Sequence, residues 1–227
     1  MSTTYSHAIV DRQAAHAGFA SAERTRGMNV IRVLDVAIAV SALLFLMPLI
    51  FLVAFMLAMQ GGPIMFSHRR LGQGGRYFYC LKFRSMVVDA EERLQRLLQN
   101  DPEARREWLA DHKLRNDPRI TRFGQFLRRS SLDELPQLIN VLRGEMSIVG
   151  PRPIVEAEVA RYGHHIASYF AVKPGITGIW QVSGRNDVNY RTRIAMDCLY
   201  AKSIAPALYL RLVILTVPAV LMRRGSY

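Results

Sequence analysis

The chain has 227 residues, with thirty Lys and Arg against eighteen Asp and Glu, a formal net charge of +12 and half of its residues hydrophobic. Its mean hydropathy is +0.07, high for so charged a chain, and the length suits one core of ordinary size plus a membrane element. The two cysteines, Cys80 and Cys198, lie far apart with no CxxC pair or local His cluster. That spacing excludes a disulfide framework and a zinc site, and suits reduced thiols in a cytoplasmic compartment. Apolar and basic excess together point to an anionic partner met at a hydrophobic boundary; nucleic acid, an acidic membrane and a phosphorylated substrate all fit.

Residues 1–29 read as a flexible tail, without the short apolar core and cleavage site of a signal peptide. Residues 37–59 are apolar except for Ser41 and uncharged throughout. As helix they would cover roughly 35 Å, slightly more than the hydrocarbon core of a bilayer. Pro48 lies in the middle, where it removes a backbone hydrogen bond and favours a kink. Basic residues flank both ends, with Arg24, Arg26 and Arg32 before and Arg69, Arg70 and Arg76 after. Because positive flanks prefer the cytoplasmic side, a helix that bends at Pro48 and returns to the same face satisfies both; a straight kinked span is the alternative.

Residues 64–81 predict two short strands around Gly72-Gln73-Gly74-Gly75, with the glycines as a plain hairpin turn rather than a phosphate cradle. Residues 86–99 carry a helical apolar spacing, and a charged, loop-containing segment follows to Arg115. Residues 207–222 are apolar but short for a span, which predicts an interfacial helix or a core element. No internal repeat argues for a second soluble domain.

The densest chemistry is in Arg128-Arg129-Ser130-Ser131-Leu132-Asp133-Glu134-Leu135-Pro136-Gln137-Leu138. Leu132, Leu135, Leu138, Ile139 and Leu142 have helical spacing, and Gly144 is a natural stop. Two readings stay open for the carboxylates. They cap the helix, either as a Ser131–Glu134 capping box or with Asp133 as the N-cap. Or Asp133 is an ionised oxygen nucleophile or metal ligand, with Glu134 helping to hold a hard divalent cation near the arginines, as phosphoryl chemistry needs. Downstream, Gly150-Pro151-Arg152-Pro153 presents a guanidinium from a stiff turn, suited to bidentate phosphate binding. Lys173-Pro174-Gly175-Ile176-Thr177-Gly178 reads as a second tight turn and Ser183-Gly184-Arg185-Asn186 as a polar loop. Lys82 and Arg84 add cations at the end of the second strand.

Five stretches in order resemble the bacterial sugar transferase family, the monotopic phosphoglycosyl transferases. They are Lys82-Phe83-Arg84-Ser85-Met86, Ser131 to Leu138, Gly144 to Pro153, Pro174 to Gly178, and Trp180-Gln181-Val182-Ser183-Gly184-Arg185-Asn186. The likeness runs from about Arg32 to Tyr227, and the closing Arg224-Gly225-Ser226-Tyr227 is similar to the end of the exopolysaccharide-initiating members. The resemblance implies an α/β fold: a small monotopic membrane protein with one re-entrant, Pro-broken helix (residues 30–60) and a cytoplasmic catalytic domain (61–227) carrying interfacial helices at the inner membrane of a bacterium. It implies transfer of hexose-1-phosphate from a UDP-hexose, glucose or galactose, to polyprenyl (undecaprenyl) phosphate, with UMP released and a phosphosugar formed on Asp133. Mg²⁺ would be held near Asp133 and Glu134. Lys82, Arg84, Arg128, Arg152 and Arg185 would bind substrate.

Two departures stand out: Tyr209 occupies a place where many relatives carry Asp, and Met47 precedes Pro48 where some carry Ser. An anionic-lipid or nucleic-acid binding module at a membrane is the competing reading. Against nucleic acid, aromatics are not interleaved with the basic runs and no helix-turn-helix or RNP pattern occurs.

Overall fold

The computed structural model describes residues 3–111, 114, 116–183 and 188–221. A single helix, α1 (Thr3–Met59), opens the chain. It is already helical through the residues expected to form a tail, because residues 3–29 hold several alanines and no proline. Within it, Arg26–Met59 is long and apolar enough to cross a membrane, and Pro48 lies inside without ending the helix.

The packing of α1 follows its helical period. Ile31, Leu34, Ile38, Ala39, Ala42 and Leu43 join one core cluster, and Leu49, Ile50, Val53, Ala54 and Leu57 join another. The spacing of three and four keeps these residues on one stripe, which runs along the soluble part from both sides of Pro48. Leu44, Phe45, Phe51, Leu52 and Phe55 remain exposed on the rest of the helix. Polar ties hold both ends. Arg32 donates to the carbonyls of Val141 (2.6 Å) and Leu142 (2.8 Å), and Arg84 Nη2 donates to the Leu57 carbonyl at 3.3 Å. Asp35, 1% exposed, accepts on Oδ1 from Ser147 Oγ, the Ile148 amide and the Tyr209 hydroxyl, each at 2.8 Å. Tyr209 is therefore a buried donor that completes the shell of Asp35.

The hairpin forms as the sequence predicts. Strands β1 (Met65–Leu71) and β2 (Tyr77–Phe83) pair antiparallel from Met65↔Phe83 to Leu71↔Tyr77. Gly74 and Gly75 take positive φ in the connection, as a tight turn requires. Helix α2 (Ala90–Asn100) starts four residues later than the spacing predicts, because Met86 is bridged to Ile120. Helices α3 (Pro102–Asp111) and α4 (Arg122–Arg129) follow, the latter capped by Thr121 Oγ1 accepting from the Gly124 amide at 2.8 Å. A Cβ on Gly124 would stand 1.9 Å from the Ser85 carbonyl oxygen, so glycine there lets α4 lie directly on the end of the hairpin.

Helix α5 (Gln137–Arg143) leads through Gly144, φ 80°, into β3 (Ser147–Val149). Two short helices, α6 (Val159–Tyr162) and α7 (Ile166–Phe170), precede β4 (Gly175–Thr177), which pairs parallel with β3. The stretch expected to be only a turn is thus partly a strand. Its pairing is too close for side chains: a Cβ on Gly175 would stand 2.0 Å from the Gly150 amide nitrogen. Helices α8 (Ile179–Ser183), α9 (Tyr190–Ser203) and α10 (Pro206–Leu221) complete the described chain. On α10, Tyr209 and Leu212 join the core while Leu210, Ile214, Leu215 and Val217 stay exposed. Both cysteines are free and buried.

Candidate active site

The carboxylates are placed by two neighbouring elements. Ser131 adopts a left-handed backbone, φ 58°, a conformation uncommon for a residue with a side chain. It reverses the chain after α4 into a single 3₁₀ turn, Leu132–Glu134. Leu132 and Leu135 anchor that turn in the cluster formed by Val53, Leu57, Phe83 and Leu127. From the facing end of β2, Lys82 reaches over, its Nζ 2.6 Å from Glu134 Oε1 and 3.6 Å from Asp133 Oδ2. The Asp133 side chain is 9% exposed, whereas Lys82 and Glu134 are about one-third open at 28% and 30%. The site is therefore a buried carboxylate beneath an open ion pair.

This geometry removes the capping reading of the carboxylates. Neither caps a helix: the residue before α5 is Pro136, with no side-chain cap, and Ser131 makes none for the 3₁₀ turn. Glu134 spends its Oε1 on Lys82 instead. Burial raises the Asp133 carboxyl above the ordinary range, with Glu134 adding to the rise and Lys82 and Arg128 opposing it. Burial acts the same way on Glu134, but Lys82, Arg152 and a hydrogen bond with Gln137 outweigh it and hold that carboxyl low. Two adjacent carboxyls are thus pushed in opposite directions.

The arginines surround this pair. Arg128 donates from Nε to Ser85 Oγ at 2.8 Å, and its charge acts on Asp133. Arg152 lies 6.0 Å from the Trp180 ring centroid, and its charge acts on Glu134. The turn that carries Arg152 is locked to β4: the Gly150 amide donates to the Thr177 carbonyl at 2.8 Å and the Gly175 amide to the Pro151 carbonyl at 2.7 Å. Arg84 is directed elsewhere. It is buried against the end of α1, with Nη1 lacking a hydrogen-bond partner among the described residues. Arg185 lies outside the described residues.

Arg70 belongs to the same surroundings, although the sequence marks it only as flanking charge. It bonds the Pro153 carbonyl at 3.4 Å and lies 3.8 Å from Glu158, and burial together with Arg152 pushes its guanidinium down. His68 is lowered by burial and by Arg70 and Lys82. The signal that finds both is strand alternation: with Phe66↔Lys82, His68↔Cys80 and Arg70↔Phe78 paired, His68, Arg70 and Lys82 share one face of the hairpin.

Among the described residues no cluster of three or more His, Cys, Asp or Glu forms a metal cage. Adjacent Asp133 and Glu134 suit a hard cation that keeps its waters and borrows oxygens from a bound phosphate, as Mg²⁺ does.

The chain is similar to known proteins along most of its length. Residues 27–223 match the family model described as bacterial sugar transferase. A UDP-galactose-lipid carrier transferase of Erwinia amylovora is 51% identical over 196 residues, 86% of this chain and 41% of that protein. The exopolysaccharide production protein ExoY of Sinorhizobium fredii is 48% identical over 197 residues, covering 86% of this chain and 87% of that one. The UDP-glucose:undecaprenyl-phosphate glucose-1-phosphate transferase of Xanthomonas campestris pv. campestris is 41% identical over 203 residues, 85% of this chain and 39% of its own. The chain thus spans about two-fifths of the length of the Erwinia and Xanthomonas proteins.

Proposed function

Because the chain belongs to the bacterial sugar transferase family, its match covering residues 27–223, we propose that it transfers hexose-1-phosphate from a UDP-hexose to polyprenyl phosphate. Asp133 is the nucleophile. A carboxylate oxygen attacks the β-phosphorus of the nucleotide sugar, the bond to the bridging oxygen breaks, and UMP leaves with that oxygen. The phosphosugar then sits on Asp133 until an oxygen of polyprenyl phosphate attacks the same phosphorus, frees the carboxylate and forms polyprenyl-diphosphate hexose. The hexose is glucose or galactose, the two sugars that appear in the names of the relatives.

The observation that carries this reading is the state of Asp133: buried, spent on no helix cap, and faced by Lys82. Burial raises the carboxyl and so makes the anion the more reactive, while Lys82 and Arg128 keep it accessible. Glu134, held low by its cations, stays an anion. Asp133 and Glu134 would hold Mg²⁺, which when bound neutralises phosphate charge. In this reading Lys82, Arg128 and Arg152 orient the diphosphate.

Purified protein with Mg²⁺, UDP-glucose or UDP-galactose and polyprenyl phosphate should release UMP, and Asp133→Asn should lower that rate on the order of 10⁴-fold. Full release by the variant would sink the nucleophile assignment.

We also place both flanks of α1 on the cytoplasmic face, as a kinked, re-entrant element. In support, Arg32 and Leu57, one before Pro48 and one after, are tied to the same soluble part. Tags at either terminus should resist protease in sealed, right-side-out cells; an exposed N-terminal tag would mean a true span.

A further inference from the structure

Beneath α1, at the far end of α5 from the carboxylates, lies a cavity of about 200 Å³. The seven residues of α5 separate it from the Asp133 site by roughly 10 Å of helix. Arg32 and Lys173 supply its cations, and Met28, Ile31, Val172 and Ile204 give it apolar walls. Lys173 Nζ and Arg32 Nη2 each stand 3.6 Å from the point a Cβ on Gly144 would occupy, so both charges flank one spot. Arg32 is held in place by the carbonyls of Val141 and Leu142. Lys173 makes no hydrogen bond or ion pair with any described residue. Asp35 also lines the cavity, but its Oδ1 is taken by three donors. Burial and the neighbouring Arg32 both press the Lys173 ammonium toward losing its proton, with only Asp35 opposing. The spot therefore has an excess of positive charge and a donor without an acceptor.

Its height in the molecule is set by two helices. The uncharged apolar run of α1 begins just after Asp35, and a Cβ on Gly27 would touch Pro206, the first residue of apolar α10, at 3.6 Å. Val30 and Val33 are already exposed beside the cavity. The cavity thus lies on the turns of α1 just before its apolar run and near the start of apolar α10, the level at which phospholipid headgroups lie.

We propose that this cavity binds the phosphate of an anionic phospholipid headgroup, with Lys173 Nζ and the remaining N–H groups of Arg32 donating to its oxygens. The apolar walls suit the first carbons of the attached chains. The site is separate from the one that takes the nucleotide sugar.

The test uses the full chain in mixed micelles of phosphatidylglycerol and phosphatidylcholine, with retained lipid read by native mass spectrometry. Wild type should keep phosphatidylglycerol in preference to phosphatidylcholine. Lys173→Gln should weaken that retention roughly tenfold, the loss of one charge-assisted contact, while Lys173→Arg should preserve it. UMP release in neutral detergent should be the same in all three, so a failure here is separable from a failure of the transferase reading. Equal retention by Lys173→Gln, equal retention of the two lipids, or displacement of the lipid by equimolar inorganic phosphate or polyprenyl phosphate would each overturn the proposal.

Discussion

Two buried aspartates of this chain sit in opposite circumstances. Asp35, 1% exposed, has three donors at 2.8 Å on one oxygen; Asp133, 6% exposed, has Lys82 Nζ at 3.6 Å. A carboxylate with one oxygen held by three donors is spent on structure, joining α1, β3 and α10. One left short of partners has lone pairs free to meet a substrate, as the proposed nucleophile needs. The contrast teaches that burial alone does not mark a reactive acid; burial without saturation does.

The comparison can be broken at either end. Asp133→Asn, the largest expected effect on turnover, should leave stability within about 1 kcal/mol, as measured by chemical unfolding in detergent. A large loss of stability would make Asp133 structural too. Asp35→Ala should do the reverse, costing about 3–5 kcal/mol because three buried donors lose their acceptor. A variant that unfolds at the wild-type denaturant concentration would show those bonds to be idle.

Lys82→Met sharpens the contrast further. It should lower kcat/KM on the order of 10²-fold and move the acid limb of the pH–rate profile upward, since Lys82 is the strongest influence holding Asp133 down against burial. An unmoved limb would separate Lys82 from the ionisation of Asp133.

The smallest effect concerns a third buried carboxyl, Asp197, which accepts from the Tyr162 hydroxyl at 2.7 Å. Burial raises it to about 6 from an ordinary 3.8, against the pull of Tyr162 and Arg193. The folded chain therefore holds this proton more tightly than the unfolded one. Its contribution is full below the ordinary value and is lost as pH climbs through about 6, a decline of about 2–3 kcal/mol. Asp197→Asn should flatten that part of the stability–pH curve, and an unchanged slope would contradict the assignment.

The hairpin and the apolar helix are legible in the sequence because each has a strong local signature, a Gly-rich turn between alternating strands and a long uncharged run. The β3–β4 pair is not, since three-residue strands carry no readable period and their pairing depends on Gly150 and Gly175 meeting across the fold. Of the candidate residues, Lys82, Asp133 and Glu134 meet directly, and Arg128 and Arg152 stand around them. Arg84 is a different case: two residues beyond Lys82, it serves the end of α1, because the chain has left the strand and no longer alternates. Arg70 carries no mark of its own in the sequence, because a basic residue beside a membrane segment has a ready explanation in topology. Only strand register reveals its second place beside Arg152. Ser131 gives no sequence warning at all of its left-handed turn.

The bonds that hold α1 also have an order in time. Asp35 is made early, yet its donor Tyr209 lies 174 residues later, a delay of roughly 10–35 s at ordinary rates of synthesis. Arg32 waits over a separation of 109 residues for the Val141 carbonyl. During that interval the apolar helix exists without the soluble part that will cover its inner stripe. Until the ribosome delivers those partners the stripe has no protein of its own to cover it, so the order of synthesis leaves the longest apolar surface of the chain waiting for its latest contacts.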